Sequence, residues 1–173
     1  MSLVVAQCES LSSVDAHSWD ALVGENNPFV EHAFLLGLEV SGSVGEEATG
    51  WIPRHLLVRD QDGLVGAMPL YMKLDSYGEY IFDWAWADAS ARAGVPYYPK
   101  LVSAVPFTPA TGPRLLIAPG ADAAQVTGSL LQGVQDAVEE AQAWSAHVLF
   151  CTHEDRRALA ESGFIPRTTY QFH

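Results

Sequence analysis

The sequence predicts an α/β domain built on a mixed, partly antiparallel sheet flanked by helices. Three observations carry this. Two apolar runs, His55–Arg59 and Leu64–Met72, are joined by Asp60-Gln61-Asp62-Gly63, the form of an antiparallel hairpin. After Pro119-Gly120, Val126, Leu130, Val134 and Val138 recur every four residues with Leu131 beside them, the apolar stripe of a long helix. The second half then alternates strand, helix, strand, helix, strand, the order expected of packed α/β layers.

Taken from the start, Val4-Val5-Ala6 has the composition of a short first strand. Ser13 or Asp15 is placed to cap a helix running through Trp19 and Leu22. Pro28 opens a second helix, with Phe29, Ala33, Leu36 and Val40 near helical spacing, and the Gly-rich stretch Ser41–Gly45 ends it. The hairpin follows. A third strand is expected over Glu79–Trp86, with Tyr80, Phe82, Trp84 and Trp86 on one face and Ile81, Asp83, Ala85 and Ala87 on the other. From Pro96 to Pro113 there are five prolines, interleaved with Tyr97, Tyr98 and Phe107. A linker would be polar, so this segment reads as an ordered loop packed on the body and lining a site. Leu115–Ala118 is a short strand, and the long helix reaches about Trp144 with Asp122 at its N-cap. Val148–Cys151 is a buried strand, Thr152-His153-Glu154-Asp155 has the capping-box form and starts a short helix ending at Gly163, and Phe164–Phe172 reads as extended.

The chain has 173 residues, 49% hydrophobic, and a formal net charge of −12, enough to bury one substantial core and too apolar for wholesale disorder. That charge argues against a DNA-coating protein, which needs clustered cations. Its distribution is informative. Residues 1–53 hold eight acids and no Lys or Arg, residues 54–114 hold six of each sign, and residues 115–155 hold six acids and no base. A functional surface is expected in the balanced middle. No apolar run approaches the ~18 residues of a membrane span. The start lacks the basic and apolar regions of a secretory signal, and two distant cysteines offer no disulfide framework. A cytoplasmic protein is the expectation.

The closing stretch, a short strand, a turn, a long helix, a strand, a short helix and then Ser162-Gly163-Phe164, resembles the C-terminal half of the GNAT acyltransferase fold. The middle is more specific. Trp51–Leu56, Pro69–Lys73, Tyr77–Asp88, Tyr97–Leu101, Val105–Pro109 and Thr111–Arg114 resemble the FemAB-like family of peptidoglycan biosynthesis or recognition proteins, and the likeness runs from about Asn27 to the end. The resemblance implies two GNAT-like domains in tandem, with Gln171-Phe172-His173 similar to the junction where the second begins. This chain would be the N-terminal half, a single GNAT-like domain whose partner is the second. It further implies transfer of an acyl or aminoacyl group to an amine on a peptidoglycan-precursor-like small molecule.

Against that expectation stands the cofactor loop. The GNAT family holds the pyrophosphate of acetyl-CoA on a Gln/Arg-x-x-Gly-x-Gly/Ala loop at a helix N-terminus. Matching by letters gives Gln125–Leu130, which fails at its last position and lies inside the helix; matching by Leu130-Leu131 puts Asp122, Gln125 and Thr127 at the key positions, and all fail. A capping Asp122 would also put a carboxylate where the anion belongs. Acetyl-CoA or another acyl donor is therefore disfavoured for this domain alone. The cofactor-binding residues stay unassigned.

The candidate site residues come from the middle. Tyr80, Phe82, Trp84 and Trp86 would form a face for a sugar or peptide, with Asp88 at its end, or else would be core. Asp83, half-buried on such a strand, needs a partner, and Lys100 or Arg114 is the choice. That pair would orient a substrate amine or staple the proline-rich loop. Asp83 and Asp88 are the candidate general bases; Tyr80, Trp84, Trp86, Tyr98, Lys100 and Arg114 are the candidate substrate contacts. Lys100 would meet a phosphate or carboxylate, or simply be solvated. Cys151-Thr152-His153 has no reinforcing group for a thiol–imidazole pair, and the six histidines lack metal-site spacing. A second class of function remains: a non-catalytic recognition or domain-packing half.

Overall fold

The computed structural model describes residues 2–25, 27–45, 49–81 and 83–168. Phe82 and the segment 169–173, with the junction expected there, lie outside the described residues. Among the described residues the fold has thirteen regular elements, apart from two short 3-10 turns at Leu11–Ser13 and Pro28–Val30. In chain order they are β1 (Val4–Cys8), α1 (Ala16–Val23), α2 (His32–Val40), β2 (Trp51–Pro53), β3 (His55–Arg59), β4 (Leu64–Met68), β5 (Tyr71–Lys73), α3 (Trp84–Arg92), β6 (Lys100–Ser103), β7 (Leu116–Ile117), α4 (Ala123–Glu140), β8 (Ala146–Val148) and α5 (His153–Glu161).

The strands form two sheets rather than one. The first, in the order β1-β3-β4-β7, is antiparallel throughout. The second runs β2-β5-β6-β8, antiparallel except where β6 meets β8 in parallel, so the mixed character is located there. The expected single strand Leu64–Met72 is in fact β4 and β5, one in each sheet. Pro69 has no N–H to give a ladder, and the next N–H, of Leu70, leaves the sheet pattern to bond the His55 imidazole Nδ1 at 3.2 Å.

Helix α4 lies on one face of the first sheet, where Val126, Leu130, Leu131, Val134 and Ala137 pack against Leu56, Val58 and Met68. The approach is close: a Cβ on Gly66 would come within 2.4 Å of Val126. Trp19, Leu22 and Leu35 of α1 and α2 cover the other face through Leu57, Ala67 and Leu116. In the second sheet Met72, Leu101, Ala146 and Val148 join the α4 core, while Trp51, Tyr71 and Val102 point the opposite way into a smaller core with Val44, Ala104 and Leu149.

Several expectations need correction. Glu79–Trp86 is not a strand: Tyr80 sits at φ 58° in a turn and α3 begins at Trp84. The alternation of aromatic and small residues imitates a half-buried strand, but from Asp83 to Gly94 every small partner is Ala or Ser and no residue is β-branched. Alanine, the best helix former, decides the outcome. The aromatic face accordingly does not exist as drawn, and Tyr80, Trp84 and Trp86 are 44%, 43% and 57% exposed. The proline-rich segment contains β6, and a short strand, β2, precedes the hairpin. Pro28 opens only a 3-10 turn before α2 restarts after Glu31. Residues 164–168 form no strand. The caps stand as expected: Asp15, Asp122 and Thr152 each accept a first-turn N–H, from Ser18, Gln125 and Asp155.

Candidate functional site

Strand register brings a tryptophan and two lysines into one row across the second sheet: Trp51 of β2 opposite Lys73 of β5, and Lys73 opposite Lys100 of β6. Both lysines are fully buried. Each ammonium must therefore find acceptors inside the protein. The Lys73 ammonium lies 4.4 Å from the Trp51 ring centre and bonds the Asp75 carboxylate at 3.2 Å, the Tyr77 carbonyl at 3.2 Å and the Thr49 carbonyl at 3.4 Å. Burial pulls its pKa down despite the pull of Asp75 upward. Gly78 holds this loop close: at φ 78° it lies so near Phe107 that a Cβ would come within 2.5 Å of the ring.

Lys100 is more heavily engaged. It donates to Asp83 Oδ2 at 2.6 Å, Glu79 Oε2 at 2.8 Å and Ser76 Oγ at 2.9 Å, which uses all three protons of the ammonium. Tyr97 donates its hydroxyl to the same Asp83 oxygen at 2.7 Å, and Tyr98 shares a 2.7 Å hydrogen bond with Ser76. The two tyrosine rings stand 5.1 and 5.5 Å from the ammonium. Asp83 occupies the N-cap position of α3, yet its side chain accepts no helix N–H because it is turned toward Lys100.

Two carboxylates share one ammonium, and their surroundings push them apart. Burial drives the Glu79 carboxyl up, and Lys100 does not fully offset it. Burial would raise Asp83 too, but the bonds from Lys100, Ser76 and Tyr97 outweigh it and the net shift is downward. One oxygen of each acid, Glu79 Oε1 and Asp83 Oδ1, is buried with no hydrogen-bond partner. His147 of β8 packs its ring 6.2 Å from Tyr97, and burial, helped by Lys100, holds its pKa down at about 4. At neutral pH it adds no charge.

The expected residues divide clearly. Asp83, Lys100 and Tyr98 come together, and Asp83's partner is Lys100. Lys100 is a buried strand residue, neither a solvated loop lysine nor an exposed contact for an anion. Arg114 is elsewhere: its guanidinium donates to the carbonyls of Leu149, Pro113 and Ala110, and its backbone N–H to Asp155, tying the proline-rich loop to the end of β8 and to α5. Burial lowers its pKa to about 10. Asp88 is exposed on α3. Tyr80, Trp84 and Trp86 form an outer surface, with Tyr77 and Trp84 edge to face at 5.2 Å and Arg167 over the Trp86 ring at 4.9 Å. The Cys151 thiol is pushed up by burial and by Asp155, the opposite of an activated nucleophile.

Ser76, Glu79, Lys73, Tyr97 and His147 were not singled out from sequence. The spacing of Glu79 and Asp83, two acids four apart inside an aromatic run, was the available signal. A surface feature also went unread. His153, Arg156, Arg157, Ala160 and Pro166 line a cavity of about 470 Å³, which gathers cations in an otherwise acidic protein. Among the described residues, no group of three His, Cys, Asp or Glu could hold a metal ion, and no helix is long and apolar enough to cross a membrane.

Residues 10–173 match the FemAB-like family, described as peptidoglycan biosynthesis/recognition. The chain belongs to the FemAB-like family. No curated protein matches it. Among solved structures, this FemAB-like chain is similar to a ribosomal-protein-alanine N-acetyltransferase from Brucella melitensis biovar Abortus 2308, at 14% identity and TM-score 0.57, covering 100% of this chain and 98% of that one. It is similar to an aminoglycoside antibiotic 6'-N-acetyltransferase from Acinetobacter baumannii, at 11% identity and TM-score 0.57, covering 99% and 98%. A GCN5-related N-acetyltransferase from Ralstonia eutropha JMP134 aligns at 10% identity and TM-score 0.58, covering 99% and 98%. The FemAB-like domain thus has the GNAT fold over its whole length.

The helix that follows the turn at Pro119-Gly120, the place where that fold would receive a pyrophosphate, is α4. Its N-terminus is capped by Asp122, which accepts the Gln125 N–H at 3.1 Å. The residues present do not fit an anionic cofactor there: the end of the helix already carries a carboxylate.

Proposed function

We propose that this domain belongs to an N-acyl- or aminoacyltransferase that modifies an amine on a peptidoglycan-precursor-like acceptor, and that its own part is to handle the acceptor rather than to bind acyl-CoA. The observation that carries the reading is the capping of α4 by Asp122, which sets a carboxylate at the anion end of the helix. Family membership supports a cell-wall acceptor, and the shared fold supports acyl-transfer chemistry.

The step would be direct attack by a neutral amine on an activated acyl carbon, forming the amide C–N bond as the bond to the donor's leaving group breaks and that group departs with its electron pair. Such an amine arrives protonated and must give up a proton, for which a held carboxylate is the natural acceptor. Asp83 is our first choice: Lys100 and Tyr97 hold one of its oxygens and leave the other unbonded. Asp88, exposed further along α3, is the second. Tyr80, Trp84 and Trp86 offer apolar area beside it for the body of the acceptor. A second domain of the same protein would complete the donor site, and two unpaired cysteines agree with a cytoplasmic setting.

Calorimetric titration of the domain with acetyl-CoA tests the reading. No saturable heat is expected. A saturable micromolar site would replace it with a second reading, a complete CoA-dependent N-acetyltransferase like those whose fold it shares.

A further inference from the structure

We propose that the surface cavity on α5 is a docking site for an acidic peptide segment of a protein partner, read by Arg156 and Arg157. None of its lining residues belongs to the carboxylate cluster between β5 and α3, and the inference goes beyond the transferase reading.

Helix periodicity builds the site. At about 100° per residue, His153, Arg156, Arg157 and Ala160 fall within an arc of about 100° on α5. Asp155 and Leu159 lie on the far side, where both are buried and hold the helix against the body. The chain turns at Gly163, with φ 93°, and Pro166 closes the other wall of a cavity of about 470 Å³. Its lining residues are all exposed, so the cavity is an open trough on the surface.

The charge in that trough is free. Among the described residues, the side chains of His153, Arg156 and Arg157 make no hydrogen bond or ion pair. Glu154 and Glu161 fall beside the arc on the same helix, and neither reaches ion-pair distance of an arginine. Free cations are scarce elsewhere. Of the nine Lys and Arg, Lys73, Lys100 and Arg114 are buried, Arg54 pairs with Glu9 at 3.0 Å, and Arg167 lies over Trp86. Arg59 and Arg92 stand apart at the ends of β3 and α3. The trough is therefore where a chain of net charge −12 gathers unspent positive charge.

An anion is the complementary ligand, and the shape selects a peptide. Small-molecule sites enclose most of their ligand, which a trough of exposed residues does not do. Arginine clusters on an open face recognise acidic motifs, with each planar guanidinium matching a carboxylate. Ala160, Pro166 and the neighbouring Ile165, 75% exposed, offer apolar contact to the stems of such side chains. The protein's own negative charge repels an acidic partner only at long range. At physiological salt the screening length is about 8 Å, so the contacting arginines decide the outcome.

The test is binding alone, independent of acyl transfer, so its failure leaves the transferase reading untouched. The domain is titrated by NMR with acetyl-Gly-Glu-Glu-Glu-Glu-Gly-amide and with the matched peptide carrying Gln for Glu. Saturable shifts along α5 are expected with the Glu peptide and none with the Gln peptide. Replacing Arg156→Gln and Arg157→Gln together should weaken binding by roughly tenfold or more, while Arg92→Gln leaves it unchanged. No saturable response, equal response to both peptides, or an equal loss in Arg92→Gln would each overturn the proposal. So would inorganic phosphate saturating α5 at lower concentration than the Glu peptide, which would make the trough a small-oxyanion site. Tighter binding of a single-stranded RNA oligomer would likewise replace the peptide with nucleic acid. The comparison of the two peptides on the wild-type protein needs no variant to fold.

Discussion

Lys73 and Lys100 face one another on adjacent antiparallel strands, both fully buried, with Trp51 next in the same row. Like charges opposite one another across a ladder destabilise it. The sheet tolerates them because each has its own acceptors: Asp75 and two carbonyls for Lys73, and Ser76, Glu79 and Asp83 for Lys100. All these acceptors come from the short stretch between β5 and α3 or from the adjoining Thr49. Asp75, Ser76, Tyr77, Glu79 and Asp83 are thereby tied to the sheet by two lysines. That is how a helix with no buried residue keeps its place.

Removing Lys100 should therefore cost far more than an ordinary lysine. Lys100→Met leaves Glu79 and Asp83 buried without a counter-charge, a loss of about 3–5 kcal/mol for a broken buried ion pair. Replacing the acids as well (Lys100→Met with Glu79→Met and Asp83→Leu) should recover most of that loss, since apolar groups of similar volume need no partner. Urea unfolding of the three proteins measures it. A loss below about 1 kcal/mol in the single variant would mean the cluster is not dry.

The two acids should show opposite pH signatures. Burial raises Glu79, so its contribution is whole below the unfolded value of 4.5 and is lost as pH climbs through the folded value. Glu79→Gln should then gain on the wild type as pH rises above 4.5. Asp83, also buried but lowered by the bonds from Lys100, Ser76 and Tyr97, contributes above 3.8 and loses that contribution as pH falls through its folded value. Asp83→Asn should flatten the acid limb below pH 3.8. Unfolding free energies from pH 3 to 8 separate the two.

The exposed tryptophans give a third expectation. Trp86 is 57% exposed and touches Arg167, so Trp86→Ala should cost less than about 1 kcal/mol, near the worth of an exposed cation–π contact. Trp19, fully buried and bonded through Nε1 to the Val30 carbonyl at 2.9 Å, should cost about 3–5 kcal/mol on the same change. Similar losses at both positions would restore Trp86 to a core strand.

The fold was legible where a pattern had a single reading. Asp15, Asp122 and Thr152 were recognisable as caps, and the stripe Val126–Val134 could only be the buried face of a helix. It was not legible where two periodicities overlap. In Trp84-Ala85-Trp86-Ala87 the alternation has period two, while the alanines favour a helix, and the balance rests on tertiary contacts that sequence does not display. Chief among them is the Asp83–Lys100 bond, which spans 17 residues. The site was legible by half. Asp83 announced itself as an acid among aromatics, but Lys100 was hidden because a lysine after Tyr97-Tyr98-Pro99 reads as solvated loop. Only the register Lys73–Lys100 shows it to be a strand interior. Arg114 read as a partner for Asp83 or a substrate contact, but it is buried away from Asp83, its guanidinium bonding carbonyls and its backbone N–H bonding Asp155.

The cap on α4 is worth testing for itself. Asp122→Ala should cost about 1 kcal/mol, the usual worth of an N-cap, and Asp122→Asn much less, because asparagine caps equally well while removing the charge. Thermal unfolding compares them.

The account turns on whether that helix end receives an acyl-CoA. Isothermal titration of the wild-type domain with acetyl-CoA decides it. The predicted result is no saturable heat, at concentrations where a micromolar site would be full; a one-to-one isotherm in the micromolar range would contradict it.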